Sequence, residues 1–91
     1  MRYTKETLDK LENIFELGGY KVRYEKGNFR SGACLVKGTP IIIVNKMFTN
    51  EGKINSLIDV LKDINVTIEF KNFITDELEG DYKKFLKHEH E

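Results

Sequence analysis

Pro40-Ile41-Ile42-Ile43-Val44-Asn45 is the stretch that decides the fold, because it is the only segment apolar at consecutive positions. A strand written this way needs cover on both faces, so it predicts a central strand of a sheet. The flanking sequence is arranged around it. Upstream, Tyr20 to Lys26 alternates, with Tyr20, Val22 and Tyr24 to one side and Lys21, Arg23 and Glu25 to the other. That is the pattern of a half-buried strand. Gly27-Asn28 is a turn signal, Ala33 to Lys37 reads as a second short strand, and Gly38-Thr39-Pro40 turns the chain into the central one. Short turns favour antiparallel neighbours, so these three segments predict a meander.

Helices frame the strands. Thr4 is placed to cap a first helix, with Glu6 in its first turn and Leu8, Leu11, Ile14 and Phe15 as its buried stripe. Gly18-Gly19 stops it. Thr49 or Asn50 caps a second helix whose stripe is Ile54, Leu57, Ile58, Leu61 and Ile64. Leu57 is expected to face Ile43 across the sheet-helix contact, both nearly fully buried. Val66 to Phe70 alternates like an edge strand followed by the guard Lys71. Asp76 and Glu79 have capping-box spacing for a last helix with Leu78, Tyr82, Phe85 and Leu86 on its apolar face. The expected fold class is α+β, in the order α-β-β-β-α-β-α, with a small, mainly antiparallel sheet and helices packed on it. The chain reads as one domain over residues 1–91, with a polar, frayed tail at 87–91.

Composition narrows the function classes. Fifteen basic and fifteen acidic residues cancel, which argues against a general polyanion binder. No apolar run approaches the length of a membrane span, so no membrane partner is expected. The N-terminus lacks the apolar core of a signal peptide and there is one cysteine, which together point to the cytoplasm.

The groups that could carry chemistry are few. Cys34 has no histidine nearby in sequence to activate it, and it reads as a small residue packed in a sheet. His88 and His90, in His88-Glu89-His90-Glu91, do not make the four-ligand set of a structural zinc site. Asp59 and Asp63 share a helix face, but nearly opposite the Leu57 and Leu61 stripe, as a solvated face does. No catalytic residue, metal ligand or cofactor site is therefore expected, and the chain does not read as an enzyme. Lys21, Arg23, Lys26, Phe29 and Arg30 are the candidate partner-binding residues. Basic charge interleaved with aromatic rings over the hairpin 20–37 supports a nucleic-acid-binding alternative. However, alternation sends Tyr20 and Tyr24 to the core side.

From Glu16-Leu17-Gly18 and Tyr20-Lys21-Val22, through Ser31-Gly32-Ala33-Cys34-Leu35, to Ile42-Ile43-Val44-Asn45, the order of pieces resembles the N-terminal half of the ImmA/IrrE zinc metallopeptidase family. The resemblance covers about half the chain, in order and turn placement. The family's next helix carries His-Glu-x-x-His, whose two histidines meet one zinc while the glutamate serves as base. Here Asp59-Val60-Leu61-Lys62-Asp63 stands at that place, with neither histidine nor the base. The resemblance implies a non-catalytic, degenerate zincin-like domain. The expected function is that of a small binding or regulatory protein acting through a peptide or protein partner. A strand added at a sheet edge, either Val66 to Phe70 or the hairpin edge around Lys21 to Lys26, is the expected mode, and a homodimer mate is one partner such an edge could take.

Overall fold

The structure is a computed structural model, and it describes residues 2–64 and 72–88. Its elements are α1 (Lys5–Leu17), β1 (Lys21–Glu25), β2 (Gly32–Val36), β3 (Thr39–Asn45), α2 (Asn50–Ile64) and α3 (Asp76–Lys87). The fold class is α+β, as the sequence predicts. The strand expected at Val66 to Phe70 lies outside the described residues.

The helices follow from their caps and stripes. The Thr7 amide donates to Thr4 Oγ1 at 3.3 Å, satisfying one of the free amides of the first turn of α1. Leu8, Leu11, Ile14 and Phe15 are all buried, and Gly18 closes the helix. In α2 the Gly52 amide donates to Thr49 Oγ1 at 3.2 Å, and Ile54, Leu57, Ile58, Val60 and Leu61 are buried. The last helix differs at its start. Thr75 occupies the cap position with no side-chain bond, and Asp76 is already helical, so the expected capping box does not form. Tyr82 and Phe85 of α3 are buried, and Leu78 and Leu86 pack against the same core. The end of α3 is tied down. The His88 ring lies 3.3 Å from the Tyr3 hydroxyl and 3.2 Å from Asn55 Oδ1, and the Lys62 ammonium donates to the His88 carbonyl.

The sheet departs from the meander. Its order is β1-β3-β2, with β1 parallel to β3 and β2 antiparallel to it. The hairpin between β2 and β3 forms, but its turn is Lys37-Gly38 rather than Gly38-Thr39-Pro40, and Thr39 and Pro40 already belong to β3: Lys37 and Gly38 both take left-handed backbone, φ 51° and 81°. That is the pair of conformations a two-residue hairpin loop requires, and glycine supplies one of them without strain. The β1–β2 link is where the short-turn rule fails. Residues 26–31 are long enough to pass over the end of β3, so β1 lands on its far side.

Register sorts the side chains. Val22 and Tyr24 share a face with Ile42 and Val44, and this face meets the helices. Tyr20 packs there too, as expected, while Lys21 and Arg23 are exposed. The other face carries Arg23, Ile43 and Gly32 in one row and Lys21, Ile41 and Cys34 in the next. This corrects two expectations. Leu57 is fully buried, but Ile43 is only partly so and points away from it. Ile42 and Val44 are the residues that meet the core. Cys34 is exposed rather than packed, because β2 is an edge strand among the described residues.

Candidate binding surface at the end of the parallel pair

The crossing of β3 by residues 26–31 creates the most distinctive surface of the molecule. A backbone loop laid over a strand end leaves carbonyls and amides that need partners. Asn45, the last residue of β3, supplies them. It is the single buried polar residue among those described, 2% exposed. Its Nδ2 donates to the carbonyls of Gly27 and Phe29, both at 2.8 Å. Its Oδ1 accepts from the Met47 amide at 3.0 Å, and its own amide donates to Ser31 Oγ at 3.3 Å. The Lys46 amide donates to the Glu25 carbonyl at 3.0 Å, extending the β1–β3 pairing by one bond. One asparagine therefore ties together the loop, the strand end and the start of the next segment.

Fixed in this way, the loop lines an open cup of about 910 Å³, formed by Lys26 to Arg30 with Asn45, Met47 and Phe48. The Phe29 ring lies against Gly27. A Cβ at residue 27 would stand 2.9 Å from Phe29 Cδ1, so only glycine lets the ring sit there undisturbed. Met47 is 67% exposed and Phe48 38%. Lys26 and Arg30 line the cup, and the exposed Lys46 lies between Asn45 and Met47 in the chain. None of these three cations is in an ion pair among the described residues. Among the described residues, no carboxylate lines the cup. Chemically it is an apolar floor with a cationic rim.

The five residues singled out from sequence divide. Lys26, Phe29 and Arg30 come together in the cup. Lys21 and Arg23 lie along β1 on the far face of the sheet, and Arg23 Nη2 is bound to Glu25 Oε1 at 2.9 Å. Sequence reading missed Asn45, Lys46, Met47 and Phe48. One signal could have pointed to them: Lys26 to Asn50 contains Lys26, Arg30, Lys37 and Lys46 and no aspartate or glutamate, four positive charges against none. In a chain with no net charge, that is a local concentration.

A second polar cluster lies where α1, β1 and α2 meet. Asp9, Glu12, Tyr24, Asn50 and Lys53 line a cavity of about 480 Å³ with Lys5 and Leu8. Burial pushes the Glu12 carboxyl above its usual range; a Tyr24 hydrogen bond partly opposes this, and Asp9 and Glu16 add to it. Burial likewise raises the Tyr24 phenol, helped by the Glu12 charge. Tyr24 Oη is sealed from solvent without a partner in good hydrogen-bond geometry, and Lys53 Nζ stands 5.7 Å from the centre of its ring. Asp59 and Asp63 are exposed on α2, while Val60 and Leu61 between them are buried. No helix among the described residues is long and apolar enough to cross a membrane. Comparison of the chain with models of known protein families, with curated proteins and with solved structures returned no match.

Proposed function

We propose that this chain is a small, non-catalytic binding or regulatory protein that holds a polypeptide partner at the cup. The observation that carries the reading is the pairing of exposed Met47 and Phe48 with Phe29 inside a rim of Lys26 and Arg30, neither in an ion pair among the described residues. A large exposed apolar group at a fixed concave site marks an interaction surface. Methionine and aromatic side chains are enriched in the cores of protein interfaces, and arginine with them. The kinship with the ImmA/IrrE peptidases belongs to this proposal as a reduced scaffold. At the positions compared with the zinc motif, Val60 and Leu61 serve the core and Asp59 and Asp63 face solvent. Nucleic acid is the competing partner, since the rim is cationic and Phe29 and Phe48 offer rings for stacking. The polypeptide reading is favoured because Met47, the most exposed apolar residue of the cup, has no planar face to offer a base.

Photo-crosslinking in cells from an analogue placed at Met47 tests this. Protease-sensitive, nuclease-resistant adducts at discrete masses are expected. Nuclease-sensitive adducts would transfer the proposal to the nucleic-acid reading. Adducts no more abundant than from an analogue at Leu17, an exposed site outside the cup, would remove it.

A further inference from the structure

We infer that the outer edge of β2 takes an acidic, extended polypeptide segment as an added strand, continuing from the cup. The inference rests on the polypeptide reading of the cup and adds the conformation and charge of the partner.

The backbone argument comes first. In an antiparallel pair, alternate residues exchange both backbone bonds with their partner, and those between turn their amides and carbonyls outward. Leu35 registers with Pro40, which has no amide to give, so Leu35 is an outward residue. Alternation makes Ala33 outward as well. The edge therefore presents two amides and two carbonyls, and β2 has no second neighbour among the described residues. Ala33, Cys34, Leu35 and Val36 are all exposed, with Leu35 at 72% and Val36 at 40%. Edge strands of monomers are commonly guarded by an internal charge, a proline or a bulge. Gly32–Val36 has none of these.

Charge selects the occupant. The only charged residues close to the edge strand in sequence are Arg30 before it and Lys37 after it, within the carboxylate-free span from Lys26 to Asn50. A second copy paired here would set two such spans, each with four cations and no anion, against each other. A partner strand with carboxylates near Arg30 and Lys37 and apolar side chains against Leu35 and Val36 is complementary in both respects. Arg30 belongs to the cup and to the approach to β2, so one segment can run through both. Strand addition of this kind draws affinity from main-chain bonds and specificity from the side chains at each end.

Selection from a random peptide library, with the whole chain as bait, tests this. Enriched peptides are expected to alternate apolar residues with aspartate or glutamate, and to protect the Ala33 and Leu35 amides from hydrogen exchange when bound. Leu35→Pro removes one outward amide and no bond to β3, and is expected to weaken binding at least tenfold. Lys37→Glu, which lies outside the cup and does not touch the strand ladder, is expected to weaken it at least threefold and serves if the proline variant does not fold. Peptides that perturb Met47 while leaving both amides and the Lys37→Glu variant unaffected would overturn the strand addition and leave the cup intact. Enrichment of basic or uncharged peptides would overturn the charge assignment. A concentration-dependent dimer abolished by Leu35→Pro would put a second copy at the edge instead. Failure to enrich any peptide would overturn this inference together with the reading it rests on.

Discussion

Replacing Asn45 by alanine removes three side-chain hydrogen bonds at once: two donated to Gly27 and Phe29, and one accepted from Met47. Each such bond contributes about 0.5–1.5 kcal/mol net, so the three together amount to about 1.5–4.5 kcal/mol. The residue is buried, which argues for the upper half, since water does not readily replace the lost amide. The loop it ties down is exposed on its outer side, which argues for the lower half. A loss of about 3 kcal/mol is therefore expected, a large share of a domain stability of about 5–15 kcal/mol. Urea unfolding followed by circular dichroism measures it as a fall in midpoint of about 1–3 M at unchanged slope. Asn45→Asp sharpens the test. It keeps an acceptor for the Met47 amide but points a carboxylate at the carbonyls of Gly27 and Phe29. The neutral form of that carboxyl is favoured in the folded state, so this variant should lose stability relative to the parent as pH rises. An alanine variant within 0.5 kcal/mol of the parent, or an aspartate variant with no pH dependence of its own, would refute the role given to Asn45.

Three further outcomes follow from the same structure. Ile42→Asp places an unpaired charge in the core and should unfold the domain, whereas Ile43→Asp, on the partly exposed face, should leave it folded; equal melting temperatures would reverse the face assignment. The Glu12 carboxyl binds its proton more tightly in the folded than in the unfolded chain. Its contribution is therefore favourable on the acid side and is lost as pH rises through the raised folded pKa. Glu12→Gln should accordingly gain stability relative to the parent as pH rises through that range, and a melting difference that is flat or of opposite sign would contradict the burial of Glu12. Gly27→Ala should displace the Phe29 ring, seen as ring-proton shifts by NMR, and cost about 1–3 kcal/mol, because Gly27 holds φ 157°, a backbone conformation that residues with a Cβ rarely adopt.

Much of this fold is legible in sequence because local physics writes it there. The stripe Leu8, Leu11, Ile14 and Phe15 repeats at the helical period, and all four residues are buried. The alternation of Tyr20, Val22 and Tyr24 against Lys21 and Arg23 gives the correct inward face of β1. Strand order is different, because alternation looks the same whether the neighbour runs parallel or antiparallel. Whether residues 26–31 turn back or cross β3 is settled by bonds from Asn45, nearly twenty positions away in sequence. The face of Ile43 fails for a related reason. In a run of consecutive apolar residues, parity carries no information about which side meets the helix. The cup was half legible: Lys26, Phe29 and Arg30 lie in one loop, but Met47 and Phe48 join them only once the loop has crossed the strand.

The most direct test of polypeptide binding at the cup is a calorimetric titration with a partner recovered by crosslinking or selection. The comparison is Met47→Ala with Phe48→Ala in one chain against Leu17→Ala in another, since Leu17 is as exposed as Phe48 but lies outside the cup. Burying a methionine or phenylalanine side chain is worth about 1.5–3 kcal/mol, so the double variant should bind at least tenfold more weakly while Leu17→Ala binds as the parent does. Equal affinity for all three chains, with each shown to be folded, would contradict the assignment of function to this surface.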